Sequence, residues 1–141
     1  MRLDLTLAPA SEAMRCAAES FFKRLYVDHD FADAMRSHVG PNFVEHNPDL
    51  PNAPEDQIAW FEKRAAAHPD FYKEEARWES RFVHRFITAN YLIVHYFLSV
   101  GPQDRGRMFA DFWRFDGDRI VEHWDVVQPI PEKTGSGNPM W

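Results

Sequence analysis

Apolar residues recur at Met14, Ala17, Ala18, Phe21, Phe22 and Leu25, which is the spacing of one helix face over Ser11 to about Asp28, with Ser11 as N-cap. A second, shorter helix starts near Asp30 and carries Phe31, Ala34, Met35 and His38 before Gly40-Pro41 stops it. Asn42 to Asn47 reads as a short strand. The segment Pro48-Asp49-Leu50-Pro51-Asn52-Ala53-Pro54 has no apolar period and reads as a stiff surface loop. It leads into a third helix: Pro54, Glu55 and Asp56 suit a first turn, Ile58, Phe61 and Ala65 share a face, and His68-Pro69 ends it. From about Tyr72 the period becomes two. Four strands are predicted, about Lys73 to Ile87, Tyr91 to Val100, Arg107 to Phe115 and Arg119 to Val127, with turns at Ala89-Asn90, Gly101 to Gly106 and Asp116-Gly117-Asp118.

Helices first and a strand meander last define an α+β architecture in which helices cover one face of a curved antiparallel sheet. Along the second predicted strand, Tyr91, Ile93, His95 and Phe97 alternate with Leu92, Val94, Tyr96 and Leu98, so both faces are apolar. A sheet wetted on one side would not carry that pattern, and the expectation is a homodimer joined through the outer sheet face. The length of 141 residues suits one domain spanning residues 1–141, with an extended tail over 128–141 whose Met140 and Trp141 can tuck against a neighbour.

Charge and cysteine content narrow the function classes. A formal net charge of -6 without a basic cluster argues against nucleic acid or an anionic membrane as partner. Phe86 to Gln103 holds no Asp, Glu, Lys or Arg, but Thr88, Asn90, His95, Ser99, Gly101 and Pro102 interrupt it, and a buried hairpin fits better than a membrane span. The N-terminal apolar stretch, broken by Arg2 and Asp4, is too short for a secretory core, and a cytoplasmic setting is expected. Cys16, the single cysteine, falls within the predicted apolar helix face and reads as inert packing. Nucleotide-binding glycine loops, nucleophile elbows and zinc-protease motifs do not occur in the sequence. The 12 Phe, 5 Trp and 4 Tyr exceed the needs of a small core, which suits a chain that also walls a cavity.

Chemistry concentrates in the strand Met108-Phe109-Ala110-Asp111-Phe112-Trp113-Arg114-Phe115. Alternation places Asp111 on one face with Phe109, Trp113 and Phe115. A carboxylate so fenced is either a paired structural group or a proton-transfer residue, because desolvation disfavours its charged form. Moving an aspartate from about 3.9 to neutrality corresponds to roughly 4 kcal/mol, which exposed ion pairs cannot supply and burial can.

The segments Val44-Glu45-His46-Asn47-Pro48, Ala110 to Phe115 and Asp118 to Pro129 resemble the SnoaL-like polyketide cyclases, within the nuclear transport factor 2-like superfamily of cone-shaped α+β domains. The resemblance covers nearly the whole chain. It implies an aspartate on a central strand, aided by a histidine, that moves a proton α to a carbonyl during aldol ring closure without metal or cofactor. Asp111 looks like that aspartate, and His95 like the histidine. The superfamily also holds isomerases, dehydratases, transport adaptors and domains with no known chemistry, so fold does not fix function.

Other candidates carry two readings each. His46 and Asn47 offer polar groups for a ligand carbonyl, or form a rim and a turn before the proline loop. Trp60 and Phe61 line a pocket or pack the core. His123 and Asp125 alternate with Glu122 and Trp124, so one pair faces inward; with His84, His95 and Asp111 they imitate a two-histidine, one-carboxylate metal site without its spacing motif, and no metal is expected. The leading expectation is a cofactor-free enzyme acting on an apolar, carbonyl-bearing small molecule, with Asp111 and His95 catalytic and the ligand held by His46, Asn47, Trp60, Phe61, Phe109, Trp113, His123 and Asp125. The competing expectations are a small-molecule binding or sensing domain and a dimeric interaction module.

Overall fold

A computed structural model describes residues 8–67, 78–100 and 103–141. Helix α1 (Glu12–Phe22) begins where Ser11 Oγ accepts the Met14 N–H at 3.1 Å, and it buries Met14, Ala18 and Phe21. A straight helix would next turn Leu25 inward. Instead the chain widens into a π turn over Lys23–Val27, and the added residue rotates the inward position to Tyr26, which is buried while Leu25 is half-buried. His29, at φ 55°, ends this segment. Asp30 then caps α2 (Phe31–His38), accepting the Asp33 N–H at 3.0 Å.

Strand β1 (Val39–Glu45) follows at once and takes in Gly40 and Pro41, earlier than the expected start at Asn42. After the proline loop come α3 (Pro54–Ala67) and the meander β2 (Trp78–Thr88), β3 (Tyr91–Val100), β4 (Arg107–Asp116) and β5 (Arg119–Pro129). The expected helix stop at His68-Pro69, the change of period at Tyr72 and the strand start at Lys73 lie outside the described residues. At Gly106, φ is 80° and an added Cβ would stand 2.5 Å from the Phe97 ring, so the turn into β4 requires glycine.

The sheet order is β1-β5-β4-β3-β2. The meander is antiparallel as expected, but β1 joins β5 in parallel, which makes the sheet mixed. That addition is cheap at an edge, where Pro41 forfeits no ladder bond inside the sheet. The inner face packs under α1, α2 and the π turn around Phe21, Met35, Val94, Phe115 and Ile120, each at most 1% exposed. Across the outer face run two register rows, Phe86–Ile93–Phe112–Trp124 and His84–His95–Ala110–Val126.

Two expectations are corrected here. Cys16 is exposed, on the solvent side of α1, because the buried stripe runs through Met14, Ala18 and Phe21. The end of the tail packs against its own sheet: the Trp141 ring lies 4.5 Å from Phe97, with the Arg81 guanidinium 5.5 Å from its centre. Among the described residues, no helix is long and apolar enough to cross a membrane.

Candidate functional site

Asp111 occupies the middle of the inner face and is 4% exposed. The Tyr26 hydroxyl, delivered by the π turn, donates to Asp111 Oδ2 at 2.5 Å and accepts from Trp113 Nε1 at 2.8 Å. Tyr96, on β3, brings a second phenol to the same carboxylate. The surround is aromatic: Phe109 stacks on Tyr96 at 5.0 Å, and Phe21 meets the Trp113 ring edge-on at 4.8 Å. Burial is the dominant influence and pushes the Asp111 carboxyl from 3.8 up to about 6. His123 and the two phenols pull in the opposite direction, and Asp125 pushes with burial. Both phenols are themselves raised well above 10.0, first by burial and then by the Asp111 charge, so they stay protonated and act as donors.

The histidine beside Asp111 is His123. In the β3–β4 register Val94 faces Asp111 and His95 faces Ala110, so His95 projects from the opposite side of the sheet. There its Nδ1 lies 3.2 Å from His84 Nδ1 and the two rings stack. The expected pairing of His95 with Asp111 is therefore corrected by strand parity. In the β4–β5 register Asp111 faces Asp125 and Trp113 faces His123, which puts His123 and Asp125 inward. His123 is 4% exposed and stacks on Trp113 at 3.7 Å.

Glu45 is the residue that sequence reasoning passes over. The parallel register sets it opposite His123, and its side chain is 1% exposed. Its Oε1 accepts from His46 N–H at 3.0 Å, Asn47 N–H at 2.8 Å and His123 Nδ1 at 2.9 Å; its Oε2 accepts from Gln57 Nε2 at 2.9 Å. Burial by itself would raise the Glu45 carboxyl, but the bonds and charge from His123, with those from Asn47 and Gln57, outweigh it and hold the group below its usual 4.5.

Asn47 joins the cluster through its side chain, whose Nδ2 donates to Asp125 Oδ2 at 2.6 Å. His46, one residue on from Glu45, points the other way: it bonds Glu122 Oε1 at 2.9 Å and stacks on Trp124. Trp60 and Phe61 are half-buried at the α3–α2 contact, where Phe61 packs on Phe31 at 4.3 Å and Arg64 lies over Trp60. The structure thus gathers Asp111, Phe109, Trp113, His123, Asp125 and Asn47, adds Tyr26, Tyr96 and Glu45, and sets His95 and His46 elsewhere.

Asp111, His123 and Asp125 each bring a ligand atom within 4.8 Å of the others, the set among the described residues that could gather a cation. The same spacing suits a mobile proton, and phenol donors on a near-neutral carboxylate favour that use. Exposure along the inner face of β5 rises from Ile120 (0%) and His123 (4%) through half-buried Asp125 to Val127 (40%), so the cluster nears the surface at its Asp125 end.

No family model matches the sequence, and no curated protein matches it. Solved structures do resemble it. An NTF-2 like protein of unknown function from Burkholderia xenovorans LB400 superposes with a TM-score of 0.62 at 15% identity, covering 89% of this chain and 90% of that one. A candidate SnoaL-like polyketide cyclase from Jannaschia sp. CCS1 gives 0.58 at 16% identity, over 84% and 89%. A steroid delta-isomerase from Pseudomonas aeruginosa gives 0.58 at 17% identity, over 89% and 85%. These likenesses show that the chain has the nuclear transport factor 2-like α+β fold, shared with SnoaL-like cyclases and an isomerase.

Proposed function

We propose that this chain is a cofactor-free acid–base enzyme that moves a proton α to a carbonyl in a largely apolar small molecule, in the manner of an aldol cyclisation or an isomerisation. The observation that carries the reading is Asp111, a buried carboxylate whose affinity for protons is raised to about 6 by burial. A base near working pH combines the correct protonation state with adequate driving force, which an exposed aspartate lacks. The aromatic side chains around Asp111 suit an apolar substrate, and the half-buried Asp125 and Asn47 offer polar groups at the edge of the cluster. The names of the cyclase and isomerase neighbours lend support at the level of fold.

The test uses 2-tetralone, an apolar ketone with acidic α-protons, in D2O. Proton NMR is expected to show exchange about 10²–10⁴-fold faster than buffer. Because the ionised carboxylate is the base, the rate should climb as pH rises through about 6. A binding domain would broaden the tetralone signals without exchanging them, and a pH profile without a midpoint near 6 would remove Asp111 from the role.

The proposal includes a homodimer joined through the outer face, where Phe86 stands 53% and Val126 65% exposed. Sedimentation equilibrium should give twice the chain mass of 16.6 kDa, and Val126→Glu should shift the population to monomer. A wild-type protein that sediments as a monomer at micromolar concentration sinks this part.

A further inference from the structure

We infer that Glu45 is a positioning residue which keeps a proton on His123 Nδ1, so that a second proton, carried on Nε2, is the one presented to a substrate oxygen next to Asp111. The inference rests on the proton-transfer reading above and names the second group of that site. Glu45 is held in its ionised form by donors converging from two backbone amides, Gln57 and His123. An ionised carboxylate only accepts hydrogen bonds, so the Nδ1 that lies 2.9 Å from its Oε1 and 3.1 Å from its Oε2 must carry a hydrogen. The ring's orientation is then fixed on one edge by Glu45 and on one face by Trp113.

The other edge is unsatisfied. His123 Nε2 is buried and has no hydrogen-bond partner among the described residues. A buried polar atom without a partner has a destabilising desolvation cost, which is unusual in a native fold unless something else supplies the bond. One nitrogen of the ring lies within 4.8 Å of carboxylate oxygens of Asp111 and Asp125, and with Nδ1 held by Glu45 the free edge of the ring is the one left for a ligand beside them. In the enolisation step the α C–H proton passes to Asp111, the C–H electron pair forms the C=C bond, and the carbonyl π pair moves onto oxygen. His123 Nε2–H, when the ring carries both protons, hydrogen-bonds that oxygen, and reprotonation at carbon reverses each move. Glu45 never touches substrate in this scheme. Its part is to keep the hydrogen on Nδ1 and the ring in place.

The test is long-range proton–nitrogen NMR on the full-length protein labelled with 15N-histidine, His123 being assigned from the signals missing in His123→Gln. In the wild type a slowly exchanging, strongly downfield Nδ1–H signal is expected. Glu45→Gln removes the charge and can turn either its carbonyl or its amide to the ring, so the signal should weaken and move upfield, and tetralone exchange should fall about 10²-fold while its pH midpoint stays near 6. Glu45→Asp, which keeps the charge, should restore part of the rate. A wild-type His123 with a bare Nδ1 overturns the inference without a variant that must fold, as does a folded Glu45→Gln protein with unchanged exchange. Should the wild type fail to exchange tetralone, the proposed function falls, and the NMR signal still decides the Glu45 assignment.

Discussion

Asp111→Asn is expected to abolish proton exchange and, in the same protein, to raise stability at pH 7.5 by about 3 kcal/mol. The two effects have one cause. In the unfolded chain the carboxyl titrates near 3.8, and in the folded chain near about 6. The folded state therefore binds the proton more tightly, so unfolding releases protons between those values and stability falls as pH rises from about 4 to 6. Above 6 the carboxylate is ionised in both states, and the folded protein carries the whole cost of a buried charge. Asparagine carries no charge, its carbonyl still accepts from Tyr26, and its amide faces the Asp125 carboxylate across the β4–β5 register. Urea titrations should show the variant's advantage at pH 7.5 closing as pH falls toward 4. Loss of exchange follows because an amide cannot take the α-proton, a deficit of about 10²–10⁴-fold. A variant that is less stable at pH 7.5, or that still exchanges, contradicts the assignment.

The inward face of β4 was legible because parity within a single strand needs no partner: Phe109, Asp111, Trp113 and Phe115 share a side whatever lies next door. His95 was not, since β3 is apolar on both faces and nothing in its own pattern tells Tyr91, Ile93 and His95 from Leu92, Val94 and Tyr96. Register settles the matter, and a shift of one residue exchanges every side chain between faces. For β5 the same parity left a choice of two pairs, which the register resolves in favour of His123 and Asp125. Tyr26 was hidden by a different device, the π turn that displaces Leu25 from the inward position an α-helical period would give it. Glu45 sat in a resemblance segment, but its role depends on a parallel pairing between residues about 80 positions apart in sequence, which local pattern does not encode. The helical caps at Ser11 and Asp30 and the antiparallel meander are short-range features, and these the chain announces directly.

Phe21→Ala should be the most damaging core substitution near the site, at about 3–5 kcal/mol. Phe21 is 0% exposed and fully enclosed between α1 and the sheet, with its ring edge-on to Trp113 at 4.8 Å and to His38 at 5.8 Å. Truncation removes the transfer energy of a whole ring and leaves a cavity that rigid neighbours cannot close, since Met35, Ala18 and Phe115 are each packed at 1% exposure or less. For a chain of this size the loss should lower the melting temperature by about 10–20 °C. The functional consequence comes through Trp113, whose ring also stacks on His123 and whose Nε1 holds the Tyr26 hydroxyl. With the Phe21 ring gone Trp113 loses its backing, so at a temperature where the variant is still folded the His123 Nδ1–H signal should broaden and tetralone exchange should fall. Phe21→Leu fills most of the space without the aromatic edge, and separates the two contributions: stability should largely return. A full recovery of exchange together with stability would show that Phe21 serves packing alone, whereas stability without exchange would place its edge contact in the chain of support running from Trp113 to His123 and Asp111.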